Sequence, residues 1–154
     1  MLSVRIEGAD AVARDLGRFR STLRAALPPT MERAVARLVD YVRREKLSGE
    51  VLRARRGKLW FSLQPSVTGE TSTATAGRGV EGVVRIGPRA ERWAGVHEYG
   101  GLVRVPGYRR RTGAVHPYSY QARRRAFLGP SLDEQEAAIV ADFDAAVSDV
   151  IESW

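Results

Sequence analysis

Residues 131–154 read SLDEQEAAIVADFDAAVSDVIESW. Ser131-Leu-Asp-Glu134 has the spacing of a capping box. The third N–H of the helix would donate to the Ser131 hydroxyl, and the N–H of Ser131 to the Glu134 carboxylate. Acids in a first turn also suit the helix dipole. Behind this start, Leu132, Ile139, Phe143, Val147 and Val150 recur on one helical face. The segment is expected to be a long amphipathic helix closing the chain.

Strands are legible ahead of it. Leu2, Val4 and Ile6 alternate with polar residues, the period of a half-buried strand ending at Gly8. Val80–Gly87 (VEGVVRIG) reads as a second strand, stopped at Gly87-Pro88. Between them, Val12, Leu16, Phe19, Leu23 and Leu27 share a helical face. Pro28-Pro29 then interrupts it, because proline lacks a donor and restricts its predecessor. Thr30 is read as the cap of a second helix with the stripe Met31, Ala34, Val35, Leu38 and Val42. The pair forms a helical hairpin or one kinked rod. Residues 47–57 (LSGEVLRARRG) read as a basic loop, and 58–63 (KLWFSL) as a strand or a helical turn. The Gly- and Thr-rich segment 65–79 is expected to be a flexible hairpin or extended arm. Arg89–Val96 reads as a short helix stopped near Gly100-Gly101, and 102–125 as a long basic loop. The fold class is α+β: a small antiparallel sheet packed by two N-terminal helices and one long C-terminal helix.

The 154 residues fit a single domain, 1–154, long enough to bury a core. The absence of Cys excludes disulfides, thiolate zinc sites and thiol catalysis, and two His are too few for a His-rich metal site. No apolar run approaches the ~20 residues of a membrane span. The start MLSVRIEGAD does not read as a signal peptide, so an intracellularly made protein is expected.

Charge is sharply divided. Residues 1–130 hold all 25 bases and 11 acids, a net +14, while the last 24 residues hold seven acids and no base. Such a chain can attract copies of itself head to tail, pair its acidic helix with its own basic body, or face a polyanion. The densest basic stretch carries Arg104, Arg109, Arg110, Arg111, Arg123, Arg124 and Arg125 among Tyr108, Tyr118, Tyr120 and Phe127. Arginines interleaved with aromatics suit single-stranded nucleic acid, so these seven are candidate DNA-facing residues.

Catalytic patterns fail on inspection. Gly77-Arg-Gly79-Val-Glu-Gly82 spells a dinucleotide fingerprint, but it precedes a strand instead of opening a helix. His97-Glu98 begins a zinc-protease motif whose second ligand position is Gly101. An acid–base pair of His97 and Glu98 lacks a nucleophile nearby. The plainer reading is that the two make hydrogen bonds ending a helix, or contact a neighbouring chain.

Three segments in order carry a resemblance. They are Lys46-Leu-Ser-Gly-Glu-Val-Leu-Arg53 with Arg56-Gly-Lys-Leu59 and Ser62-Leu63; Trp93-Ala-Gly-Val-His97-Glu98-Tyr99-Gly-Gly101; and Arg125-Ala-Phe127-Leu128-Gly-Pro-Ser-Leu132. Together the chain resembles the tail-completion, or head–tail joining, proteins of long-tailed phages. It departs from their pattern at Trp93 (usually Tyr), Arg56 (often Thr) and Ala126 (usually Pro). The resemblance implies a structural virion protein with neither catalytic residues nor cofactor. It implies a ring, about six-fold, at the neck or the head-facing end of the tail. The implied partners are copies of itself, neighbouring neck and tail-tube proteins, and packaged DNA touched non-specifically. Its implied location is the virion, after assembly in the host cytoplasm. Leu47, Ser48, Gly49, Trp93, His97, Glu98, Tyr99, Phe127 and Leu128 become candidate subunit or neck contacts. Among them Phe127 and Leu128 are expected to anchor the last helix, and Gly49, Gly57, Gly100 and Gly101 to make backbone turns. The alternative function is a nucleic-acid-binding module using the arginine-rich stretch.

Overall fold

The computed structural model describes residues 8–52, 58–68, 79–110 and 113–154. The alternating stretch Leu2–Ile6, Gly57, and residues 69–78 of the expected arm lie outside them. The fold is α+β, with every described strand pair antiparallel.

The long first helix, α1, runs Ala9–Tyr41 without a break at the two prolines. Of the two expected arrangements, a hairpin or one rod, the chain forms the single rod, and no separate second helix begins at Thr30. Pro28 and Pro29 remove the donors for the carbonyls of Arg24 and Ala25, but Arg24 and Ala25 are exposed, so water can serve those groups. Thr30 caps nothing. It is buried, and its hydroxyl donates back to the Ala26 carbonyl at 2.9 Å, one turn below.

The helix then widens into a π-helical segment, Val42–Glu50, which takes in residues 47–50 of the expected basic loop; residues 53–57 of that loop lie outside the described residues. Burial explains the helical start: Val42 and Leu47 in the segment, and Leu52 just beyond it, are all buried. Gly49, at φ 136°, ends the coil in a conformation that glycine adopts without steric cost. The N–H groups of Val51 and Leu52 both fold back onto the Lys46 carbonyl.

A short helix, α2 (Lys58–Ser62), leads into strand β1 (Leu63–Thr68), which pairs with β2 (Glu81–Ile86) from Leu63 opposite Ile86 to Thr68 opposite Glu81. Residues 65–68 of the expected arm are therefore paired strand. This hairpin lies against α1. A Cβ on Gly82 would sit 2.5 Å from Met31 Sδ and from Val35 Cγ2, so helix and strand approach closely at this glycine. Helix packing, not phosphate binding, accounts for this member of the fingerprint. Gly82→Val is expected to cost about 2 kcal/mol through overpacking. Denaturant unfolding reads this directly; a variant as stable as the parent would show that α1 does not press on β2.

Pro88 opens helix α3 (Pro88–Tyr99), a first-turn position where its missing donor is harmless. The chain leaves α3 through Gly100 and Gly101, both at positive φ, and enters β3 (Gly101–Val105). The expected basic loop is instead a β-ribbon. Strand β3 pairs with β6 (Tyr118–Ala122), and β4 (Tyr108–Arg110) with β5 (Gly113–Val115). Both ladders keep one register, with Val105 opposite Tyr118 and Tyr108 opposite Val115. Pro106 and Pro117 fall level with each other in that register, and neither can donate, which explains the gap between the ladders.

The last helix, α4 (Leu128–Glu152), runs antiparallel to α1 and packs on it instead of on the sheet, so α1 is the middle layer. Phe19 meets Trp154 edge-on at 5.4 Å at one end of the pair, and Arg37 lies 2.7 Å from Asp142 further along. The core joins Val39, Val42, Leu47, Leu52, Leu63, Ala94 and Phe127, drawn from α1, the π-helical segment and the residues just after it, β1, α3 and the loop before α4. No helix among the described residues is long and apolar enough to cross a membrane.

Candidate assembly interface

The α3–β3 turn and the start of α4 meet through one side chain. Glu98 is 9% exposed, and its carboxylate accepts three main-chain N–H groups. Phe127 and Leu128 donate to Oε2 at 2.9 and 3.0 Å, and Gly129 donates to Oε1 at 3.0 Å. These are the donors that the first turn of a helix leaves without internal partners. A carboxylate there also opposes the positive end of the helix dipole. Burial alone would raise the Glu98 carboxyl. The N–H groups of Phe127, Gly129 and Leu128, together with Arg124, outweigh it and hold the group below its ordinary value.

This arrangement replaces the capping box. The helix begins three residues earlier than Ser131, and the Ser131 hydroxyl donates to the Phe127 carbonyl at 2.5 Å. Glu134 turns to the π-helical segment. Its Oε1 accepts from Lys46 Nζ at 3.0 Å, and its Oε2 accepts from the Tyr41 hydroxyl at 2.5 Å. These two bonds lower the Glu134 carboxyl, and the bond to Glu134 raises the Tyr41 phenol. Lys46 is buried and also lies 5.6 Å from the Tyr41 ring centroid, a cation–π distance.

The structure sorts the sequence-predicted contacts into two groups. Ser48, Gly49, Trp93 and Tyr99 are exposed, with Tyr99 at 80%. Leu47, Glu98 and Phe127 are buried, which corrects their reading as surface contacts: two fill the core and one caps a helix. Leu128 and His97 are half-buried. The His97 carbonyl accepts the Arg125 N–H at 2.7 Å, and burial, then Arg125, holds its imidazole below the usual value. Phe127 and Leu128 both pack at the core, as an anchor for α4 should. Gly49, Gly100 and Gly101 all take positive φ, as turn glycines should. At Gly100 a Cβ would lie 3.1 Å from the Arg124 nitrogen and 3.2 Å from the Ala122 carbonyl oxygen.

The arginines do not form one cluster. Arg104 and Arg109 lie on the ribbon, and Arg123, Arg124 and Arg125 at its foot; all five are exposed. Arg110 belongs to β4, and Arg111 lies outside the described residues. Arg124 is committed internally, donating from Nε to the Glu98 carbonyl at 3.0 Å. Tyr118 and Tyr120 stack at 6.2 Å on β6, and both are about half exposed. Every extensive contact of β3, β4, β5 and β6 is with its own ribbon partner. Phe61 and Leu102, not singled out in the sequence, are exposed at 80% and 60%. Only an apolar residue beside Gly or Ser hinted at them.

Among the described residues no group of three or more His, Asp or Glu could hold a metal ion. What the geometry offers is a surface: a basic aromatic ribbon on one part of the chain and an acidic helix on another. No protein-family model, curated protein or solved structure matches the chain.

Proposed function

We propose that this chain is a structural subunit of a phage neck or head-facing tail end, assembling as a ring that joins the tail to the DNA-filled head. The observation that carries the reading is the ribbon Gly101–Ala122. Its strands make their extensive contacts with one another, with Val103 of β3 buried. A two-stranded ribbon is marginal alone in water, so it gains stability from a surface beyond its own chain. The +14 and −7 division of the chain favours contacts between unlike faces of neighbouring copies, which close into a ring when the rotation closes. The resemblance of residues 46–63, 93–101 and 125–132 to tail-completion proteins supplies the setting. Two of those three segments are coupled in this fold, through Glu98 and the amides of Phe127 to Gly129.

The test is quantitative mass spectrometry of purified particles from the phage or induced prophage that encodes the chain. A few copies per particle are expected, in step with the portal and far below the tube protein. Complete absence from particles, with the protein present in the lysate, would overturn the reading.

A further inference from the structure

The surface of α4 that faces away from α1 is not an ordinary solvated face. At about 100° per residue, Asp133, Glu136, Val140, Asp144 and Ile151 fall within one sector about 80° wide. Of the buried residues of α4, Ser131 and Ala146 point well away from this sector, while Val150 lies about 40° from its Glu136 edge. Val140 and Ile151 are 51% and 57% exposed. The outward stripe thus mixes acids with bare aliphatic side chains. Of the seven acids in 131–154, Glu134 and Asp142 are neutralised within the chain, by Lys46 and Arg37. Asp133, Glu136 and Asp144 form no ion pair among the described residues and are exposed.

The ribbon is the chemical counterpart of that stripe. From Gly101 to Pro130 the chain has seven arginines and no acid. Stacked Tyr118 and Tyr120 offer apolar area on the face that strand alternation gives to Arg109, with Arg104 on the other face. The lengths also agree. Nine residue steps of strand from Gly101 to Arg110 span about 30 Å, and Asp133 to Ile151 spans about 27 Å of helix. Within one chain the two surfaces make no extensive contact.

We infer that the ribbon of one copy lies along the outward stripe of α4 of the next copy, a heterologous contact in which Arg104, Arg109 and Arg123 meet Asp133, Glu136 and Asp144. This rests on the ring-forming reading and names the two surfaces that would join the ring. Because the two faces differ, each copy uses its ribbon on one side and its helix on the other, and the chain of contacts propagates.

Charge reversal tests it. One variant carries Asp133→Arg, Glu136→Arg and Asp144→Arg; the other carries Arg104→Glu, Arg109→Glu and Arg123→Glu. All six side chains are exposed, so each variant should melt like the parent. Sedimentation velocity over a range of concentration and salt reads assembly. The parent is expected to self-associate, less so as salt rises. Each variant alone should self-associate at least about a hundredfold more weakly, because like charges then face each other. An equimolar mixture should regain assembly, since each reversed surface meets its complement on the other variant. Assembly of both variants as tightly as the parent would overturn the pairing while leaving a ring through other surfaces. A mixture that stays monomeric, or parent association insensitive to salt, would overturn it too. A parent that stays monomeric at every concentration would also overturn it, and presence in particles would then decide separately whether the neck reading survives. The same samples are titrated with single-stranded oligonucleotide. Loss of DNA binding in the ribbon variant, with parent-like association of the helix variant, would assign the ribbon to nucleic acid instead.

Discussion

Glu98→Ala is expected to destabilise the fold by about 3 kcal/mol and lower the melting temperature by roughly 10 °C. The substitution strips three N–H donors of their acceptor at the buried start of α4. The loss includes the charge that opposes the helix dipole. Glu98→Gln should rescue little. The carboxylate accepts on both oxygens, so an amide would turn one of its own N–H groups toward a main-chain N–H. The effect carries a pH signature. The folded carboxyl is held below its ordinary value of 4.5, so its contribution is fully present above that pH and is lost as pH falls through the lower folded value. The gap in melting temperature between the parent and Glu98→Ala should therefore be constant near neutrality and narrow below pH 4.5. Thermal melts of both chains between neutral and acid pH check it. A gap that does not change with pH would mean the carboxylate is not the acceptor.

The elements most legible in the sequence were those whose apolar period is unbroken. Val80–Gly87 and Arg89–Val96 come within two or three residues of β2 and α3, because a glycine and a proline fix where one ends and the other begins. The closing helix was legible from its face, but its start was not. Ser131-x-x-Glu134 fits a local cap, and the actual cap comes from residue 98, a partner that spacing along the chain does not reveal. Pro28-Pro29 misled for a related reason. Local chemistry says break, whereas burial of Thr30, Ala34, Val35 and Val39 along α1 holds the helix through it. In the ribbon, Pro106, Gly107 and Pro117 obscure a period-two pattern that only the cross-strand register restores. The buried Lys46 left one trace in composition: it is one of two lysines beside 23 arginines. Its partner Glu134 looked like part of a cap.

Charge division survives as the feature that connects sequence to surface, but it acts at two depths. Arg37 with Asp142, and Lys46 with Glu134, use part of the acidity of α4 to seat it on α1 and the π-helical segment. Of the acids left over, Asp133, Glu136 and Asp144 lie on the exposed stripe, while Asp149 and Glu152 fall at about the angles of Ser131 and Glu134. The same helix therefore has an inner set of acids for stability and an outer set for association. Changes to one set should leave the other property alone, which is what makes the charge-reversal mixture interpretable.

Phe127→Ala should separate those two properties most sharply. Phe127 is fully buried, at 0% exposure, where the chain enters α4. It packs in the cluster with Val39, Val42, Leu47 and Ala94, so it ties the last helix to α1, the π-helical segment and α3 at once. Truncating a buried phenylalanine removes its transfer free energy and leaves a cavity, together about 4 kcal/mol. Against the 5–15 kcal/mol that holds an ordinary domain together, that is a large fraction. The midpoint of denaturant unfolding should fall accordingly, with Phe127→Leu losing less than half as much. The Glu98→Ala change strips the N–H of this same residue, so the two effects should not add. A double variant is expected to lose at least about 1 kcal/mol less than the two single losses combined. Strict additivity would mean that cap and anchor secure α4 independently, and that the meeting of the two segments is packing without coupling.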